Sequence, residues 1–359
     1  MAVILAGSRG GLGSSAMGAM ANTQTDAVFP GVSARKGMYE SFYIRAVAPE
    51  EAVGIWIRHT VQKPPGRKAY GSLWCTVFDA ARGRPFMHKL SSQQLTAPPE
   101  AWIAVGHTDE GAQGGRMGAS ATDGACGVAS WSLRFDTSEP ELRHLPREWL
   151  YRAPLPRTKL TSPAPAARFD GRLELSGGRA LELSGWRGMI GHNWGAEHAE
   201  RWIWLHGIGF EQEPGAWLDV ALGRVKIAGR LTPWIANGAL SLDGRRLRVG
   251  GLAARGPRVT ESAEGCSLSL PGEHGLTIEA RAEVPAGSAA GWRYSDPDGT
   301  SAHDVVNCSI AALTLSVKLP GESAARTLTS AHGGVYELGM RERDHGVPLA
   351  PFAEEMTAE

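Results

Sequence analysis

Cysteine is scarce. Cys75, Cys126, Cys266 and Cys308 are spread over 359 residues without a CxxC pair, so neither a zinc knuckle nor a redox pair is indicated, and free thiols in a reducing compartment are expected. Long apolar runs are missing as well. Nothing approaches the roughly 18 residues of a membrane span, and residues 3–6 are too short for the apolar core of a secretory signal. The cytoplasm is therefore the expected location, with no stable span and only transient membrane contact left open. Neither sign of charge is in excess, since Lys plus Arg and Asp plus Glu number 37 each. Most are interspersed, so the balance points to neither nucleic acid nor an anionic surface as a partner.

One motif near the start invites a reading that its context refuses. Gly7, Gly11 and Gly13 follow a short apolar run with the spacing of a dinucleotide-binding turn, where glycines let the backbone approach a pyrophosphate. That turn needs a full strand before it and a helix, a second strand and an acidic residue after it. Gly18, residues 22–25 and Pro30 interrupt any such unit. Residues 1–34 are read instead as a Gly/Ser/Ala-rich mobile leader, and no nucleotide or other cofactor is expected.

From Gly37 onward the chain is a succession of short strands without helical periodicity. Alternation and turn residues place them at 39–47, 53–61, 70–78, 85–90, 102–105, 116–122 and 128–135, with Pro64-Pro65-Gly66 and Ala81-Arg82-Gly83 among the turns. Strands resume at 169 and continue to about 340, with Asp243-Gly244 as a hairpin signal. Between the two sets lies a segment carrying Pro140, Pro146, Pro154, Pro156, Pro163 and Pro165, too many prolines to continue a sheet. The chain is thus expected to be all-β, with two antiparallel barrel or sandwich domains at 35–136 and 169–345. A surface connector at 137–168 with one short helix at most, and an acidic tail at 346–359, complete the expected division.

The densest recognition chemistry lies in residues 186–210, WRGMIGHNWGAEHAERWIWLHGIGF, which hold four of the twelve tryptophans and three of the eleven histidines. On a strand at 201–210, Trp202, Trp204 and His206 share a face. Such a face lines a pocket or packs in a core. His192-Asn193-Trp194 stands between Gly191 and Gly195, where the backbone can bend or bulge. Glu40 shares a face with Phe42 and Ile44; it would hold a raised pKa, pair with a base such as Arg58, or sit as an edge charge. Asp219 shares a face with Trp217 among apolar neighbours. In a dry pocket its pKa would rise, leaving a protonated acid; otherwise it pairs with Arg224 or caps a loop. His192, Glu197, His198 and His206 match no familiar zinc spacing, so no metal is expected.

Gly191-His192-Asn193-Trp194-Gly195, the Trp202/Trp204 strand and the opening Tyr39-Glu40-Ser41-Phe42-Tyr43 resemble the superfamily of bacterial carotenoid 1,2-hydratases (hydroxyneurosporene synthases), tocopherol cyclases and fungal lipocalin-like Diels-Alderases. The resemblance covers about residues 35–345. It implies two lipocalin-like β-domains with a ligand pocket at or near their interface. It also implies catalytic roles for His192 and Trp194 of the His-Asn-Trp motif and for Asp219 of Trp217-Leu218-Asp219, where Trp217 replaces the tyrosine of the hydratases and removes a hydroxyl donor.

Together these features favour an enzyme for acid-assisted hydration or cyclisation of a hydrophobic isoprenoid- or polyene-like substrate. Protonated Asp219 would be the acid, His192 would orient or deprotonate water or fix Asp219, and Trp194 would complete the centre. Trp202, Trp204, His206, Trp217 and Glu40 would bind substrate, with the indole faces stabilising a cation. The alternative is a lipid or pigment carrier using the same cavity. Convergence of Asp219 and His192 in one cavity separates the two readings.

Overall fold

The computed structural model describes residues 25–33, 35–107, 112–227, 229–251, 256–299 and 301–351. Among them every named element is a strand or a short 3-10 turn. The glycines at 7, 11 and 13 and the end of the acidic tail lie outside the described residues.

Two antiparallel sheets account for nearly all of the chain. The first runs from Phe86–Ser92 through Tyr70–Asp79, Val53–Lys63 and Met38–Val47 to Arg179–Gly195, Thr158–Leu175 and Ala129–Asp136, then by four shorter strands to Leu95–Thr96. It curls so that its two ends approach each other, as a nearly closed barrel does. The second runs from Arg245–Gly250 through Ile235–Leu242, Trp217–Arg224 and Arg201–Gly207 to Arg326–Met340, Ala302–Lys318 and on to Arg258–Ser262. The all-β, antiparallel architecture expected from alternation and turn spacing is the architecture found. The Asp243-Gly244 hairpin is also present, with both residues at positive φ, 54° and 67°, the geometry a two-residue turn requires.

The division between the sheets differs from the expected one. Thr158–Leu175, more than half of it inside the expected connector, is an 18-residue strand of the first sheet. Its prolines are absorbed by register shifts between Thr161, Ala164 and Ala167, where bulges relieve the ladder of the amides that proline lacks. Arg179–Gly195 also belongs to the first sheet, so the change from one sheet to the other falls between Gly195 and Arg201. Nor is the end of the expected leader loose. Val28 and Phe29 donate their amides to Glu40, and Lys63 Nζ binds the carbonyls of Phe29 and Val32.

Burial follows the strand period where one face meets water. Ala129–Asp136 and Thr277–Glu283 alternate strictly between buried and exposed. Met38–Val47, by contrast, is buried at every position, because it lies between the interior of the first sheet and the second sheet. Phe42 and Ile44 turn inward, joined by Ile55 and Ile57 from the neighbouring strand. Tyr43 and Arg45 turn outward. Arg45 Nη2 reaches the carbonyls of Ser309 and Gly333 at 2.8 and 3.2 Å. Those carbonyls sit where the Ala302–Lys318 and Arg326–Met340 ladder slips register, and Arg45 supplies a donor to both there.

His59 is an unpartnered polar side chain inside the first barrel. It is fully buried, neither ring nitrogen has a hydrogen-bond partner among the described residues, and burial pushes its pKa down to about 3. The unfolded chain therefore takes up a proton at His59 near pH 6.5 that the folded chain refuses. The associated stability is complete above that pH and is lost as pH falls toward 3. Replacing His59 with Leu should flatten denaturant-derived stability against pH between those limits by about one proton, about 1.4 kcal/mol per pH unit. An unchanged slope would remove His59 from the acid response.

Candidate functional site

A cavity of about 310 Å³ lies between the sheets. Its floor is the outward face of the first sheet, with Tyr39, Tyr43, Trp56, Arg58 and Asn193. Its other wall is the second sheet, with Trp202, Trp204, Asn237 and Glu337. The Pro-rich segment covers it through His144, Leu145, Leu150 and Pro156. Most of the lining is aromatic or aliphatic, as small-molecule sites generally are.

Two glycines make room for the aromatics. A Cβ at Gly191 would stand 2.1 Å from the Tyr43 ring, and one at Gly339 would stand 2.1 Å from the Trp202 indole. Tyr43 then packs edge-on against Trp204, ring centres 5.2 Å apart.

Strand parity decides what the His-Asn-Trp motif does. His192 pairs with Phe42 and Trp194 with Glu40 across the ladder, on the inward face, whereas Asn193 faces outward to the cavity. His192 Nε2 meets Glu40 Oε1 at 2.8 Å, and its ring stacks between Phe42 at 4.2 Å and Trp194 at 4.5 Å. Glu40 thus pairs with His192 and two backbone amides, while Arg58 instead donates to Ser41 Oγ at 2.6 Å. His192, Trp194 and Glu40 are absent from the cavity wall. The expected meeting of Asp219 with His192 does not occur.

Asp219 meets a different histidine. The carboxylate is fully buried, with Oδ1 accepting from Trp204 Nε1 at 3.0 Å and Oδ2 from Ser162 Oγ at 2.5 Å. His144 Nε2 lies 3.1 Å from the same Ser162 Oγ and 3.4 Å from Asp219 Oδ2, while its Nδ1 faces the Asn237 carbonyl at 3.1 Å. A carbonyl only accepts, so Nδ1 donates. With the Ser162 proton given to Asp219, Nε2 donates too. Burial by itself would raise the Asp219 pKa, but the facing His144, then His206 and Ser162, hold it below the ordinary carboxylate value. The expected raised pKa is therefore overturned, and Asp219 is an anion behind the Trp204 ring rather than a proton-bearing acid. The alternative partner fails as well, since Arg224 Nε donates to the Thr232 carbonyl.

Of the expected binding residues, Trp202 and Trp204 line the cavity. His206 and Trp217 do not. His206 donates to the Pro165 carbonyl at 2.9 Å and is held down to about pKa 4 chiefly by burial. Trp217 packs in the core of the second sheet beneath Arg246, whose guanidinium is 4.9 Å from the ring.

A second imidazole and carboxylate pair borders the same cavity. His198 Nδ1 lies 2.7 Å from Asp296 Oδ1, which also accepts from the His198 amide at 3.0 Å. A carboxylate acceptor assigns a proton to Nδ1. Nε2 has no hydrogen-bond partner among the described residues, and the ring lies flat on Tyr39 at 4.0 Å. Burial would raise the Asp296 pKa, but His198 and then His303 depress it well below the usual carboxylate range. Donor atoms of His198, Asp296 and His303 fall within 4.8 Å of one another, a grouping compatible in principle with a metal. Asp296, however, is already occupied by His198 and by Ser301 Oγ at 2.8 Å, with the Arg341 guanidinium 3.6 Å away. Asp296 orients the His198 ring through its Nδ1. Glu337 completes the polar set, accepting from Trp202 Nε1 at 2.9 Å and Asn307 Nδ2 at 3.0 Å.

Local sequence pattern does not single out His144, Ser162, Asp296 or Glu337. His144 sits in the one moderately apolar part of the Pro-rich segment, between Leu142 and Leu145, a faint signal of a histidine turned toward the interior. His198 stands out in the sequence only as a metal-type residue.

No family model matches the chain. An uncharacterised protein of Mycobacterium tuberculosis, present in two strains, is 26% identical over 292 residues, 79% of this chain and 83% of that protein. Among solved structures, CghA superposes with a TM-score of 0.60 at 12% identity over 86% of this chain and 89% of its own, and CghA with Sch210972 gives 0.59 at 13% over 85% and 88%. A putative AttH from Nitrosomonas europaea gives 0.52 at 14% identity over 90% of this chain and 100% of its own. At such identities the likeness is one of fold: the chain has the paired lipocalin-like β-architecture that the sequence resemblance implied.

The buried Asp219 site carries a stability prediction. Its contribution is complete above the unfolded carboxyl pKa and lost as pH falls through the depressed folded value. Asp219→Asn should cost about 3 kcal/mol at pH 7 and flatten the acid limb of the stability profile, measured by urea unfolding from about pH 3 to 8. A variant as stable as the wild type would show that the carboxylate is not held as an anion.

Proposed function

We propose that this protein is an acid–base enzyme that hydrates or cyclises a hydrophobic isoprenoid- or polyene-like substrate, with His198 as the group that exchanges protons with it. The observation that carries the reading is that two oriented imidazole and carboxylate pairs border one largely apolar cavity. A carrier needs the apolar wall but has no use for His198 held in one tautomer with a free Nε2.

The chemistry follows from the charges. With Asp219 ionised, the strong acid needed to protonate an isolated C=C is absent. An imidazolium is a much weaker acid, adequate for a double bond already polarised by conjugation to a carbonyl. A polyene carrying such an enone therefore fits better than a plain hydrocarbon. Arg58, 5% exposed and 4.1 Å from the centre of the Tyr294 ring, is the cation beside which a carbonyl oxygen gathering negative charge would be stabilised. His198 Nε2 removes a proton from water or from carbon. Asp296 holds the opposite Nδ1–H and stabilises the imidazolium that forms, which then returns the proton. Trp202 and Trp204 line the cavity and pack against the apolar part of the substrate. Asp219 and His144 act as positioning residues, fixing the Trp204 indole through its N–H. The existence of CghA with Sch210972 in the same fold is consistent with a small-molecule ligand here.

The test compares untargeted metabolite profiles of a strain lacking the protein with strains restored by the wild type or by His198→Asn. The variant should fail to restore the profile and should accumulate the substrate that the wild type consumes. With that substrate in hand, kcat should fall about 10²- to 10⁴-fold while ligand affinity changes by less than about threefold. Full restoration by His198→Asn would favour the carrier instead.

A further inference from the structure

The cavity opens onto a rim unlike the rest of the surface. Exposed large hydrophobic side chains are few among the described residues, and five of the six belong to two segments at this mouth. Trp149, 63% exposed, adjoins the cavity-lining Leu150, and Leu155, 63% exposed, adjoins the cavity-lining Pro156. Opposite them Val225 both lines the cavity and reaches solvent. It leads into the small hairpin of Lys226–Ile227 and Arg230–Leu231, where Ile227 is 63% and Leu231 40% exposed.

Charge on the same two segments is one-sided. Residues 147–157 and 225–231 contain Arg147, Arg152, Arg157, Lys226 and Arg230 against the single acid Glu148. Glu148 is engaged by Arg143, and the nearby Glu197 and Glu200 are engaged by Arg157 and Lys226. Arg147, Arg152 and Arg230 make no ion pair among the described residues and are exposed. In a chain of formal net charge zero, this is a local excess of cation around an apolar ring.

The geometry points to the cavity mouth as a docking face for the surface of a bilayer containing anionic lipid. Tryptophan and long aliphatic side chains partition into the boundary between headgroups and acyl chains, while arginine and lysine meet the lipid phosphates. The contact is a peripheral one, made by exposed side chains of the rim. Docked in this way, the opening faces the acyl region, and an apolar ligand passes between bilayer and cavity without crossing water. The inference concerns the rim alone and stands apart from the chemistry assigned to His198.

The test is co-sedimentation of the full chain with phosphatidylcholine vesicles with and without about one-third phosphatidylglycerol. Binding is expected to the anionic vesicles, to weaken as salt rises from about 0.1 to 0.5 M, and to be much weaker on pure phosphatidylcholine. The double variants Trp149→Ser/Ile227→Ser and Arg152→Glu/Arg230→Glu should each lower the partition coefficient at least about tenfold with thermal midpoints unchanged, since all four side chains are exposed. No binding to anionic vesicles, or binding that both variants retain, overturns the inference. So does sedimentation velocity showing a dimer that the variants dissociate, because a second copy would then cover the rim.

Discussion

The structure depends on giving a buried carboxylate its donors. An ion such as Asp219, with no access to solvent, is tolerated only when charge and hydrogen bonds replace the water it has lost. The donors come from three places in the chain: Trp204 on the adjacent strand, Ser162 on the first sheet and His144 on the Pro-rich segment. Satisfying one oxygen pair therefore fixes the second sheet against the first and draws the covering segment down onto both. The same bonds orient the Trp204 indole and the His144 ring that form part of the cavity wall. The ion's structural role and its influence on the site have one cause.

The second organising fact is that Met38–Val47 has no solvent face. Its inward side chains fill the first barrel and its outward ones build the floor of the cavity, so each position is committed to one compartment by parity. Glu40 and His192 form their pair inward. Together with the Val28 and Phe29 amides they close the barrel end, where both lone-pair-bearing oxygens of Glu40 are used. Tyr39 and Tyr43 point outward and touch His198 and Trp204. A one-residue slip of this strand would exchange the two sets and destroy both compartments at once.

Much of the fold is legible in local pattern, because strand alternation and turn chemistry are short-range properties. The hairpin at Asp243-Gly244 is a case in which two adjacent residues settle the geometry. The 158–175 strand is hidden for a complementary reason: proline counts against a ladder, and only the partner strands show that bulges have absorbed it. The site is legible in part. Trp202, Trp204 and Asp219 announce themselves by their apolar company, and two of the three line the cavity. The face on which His192 falls depends on the register with Met38–Val47, which no run of residues within 186–210 encodes. Similarly, Asp296 lies 98 positions from His198, and nothing local marks that approach. Residues 186–210 contain both His192 and His198, and nothing within them tells which of the two rings borders the cavity.

The two histidines of the cavity differ in how many of their nitrogens are free, and that difference sorts their roles. His144 has Nδ1 on a carbonyl and Nε2 on the Ser162 and Asp219 pair, so both of its nitrogens are engaged. His198 has one nitrogen anchored and one free. The Asp296 contact is made through Nδ1 and does not involve Nε2. Reversible proton transfer needs a group whose two protonation states share one geometry. Of the two imidazoles, His198 is the one with an unpartnered nitrogen, and that is the ground on which the proposed proton exchange is placed there rather than at His144.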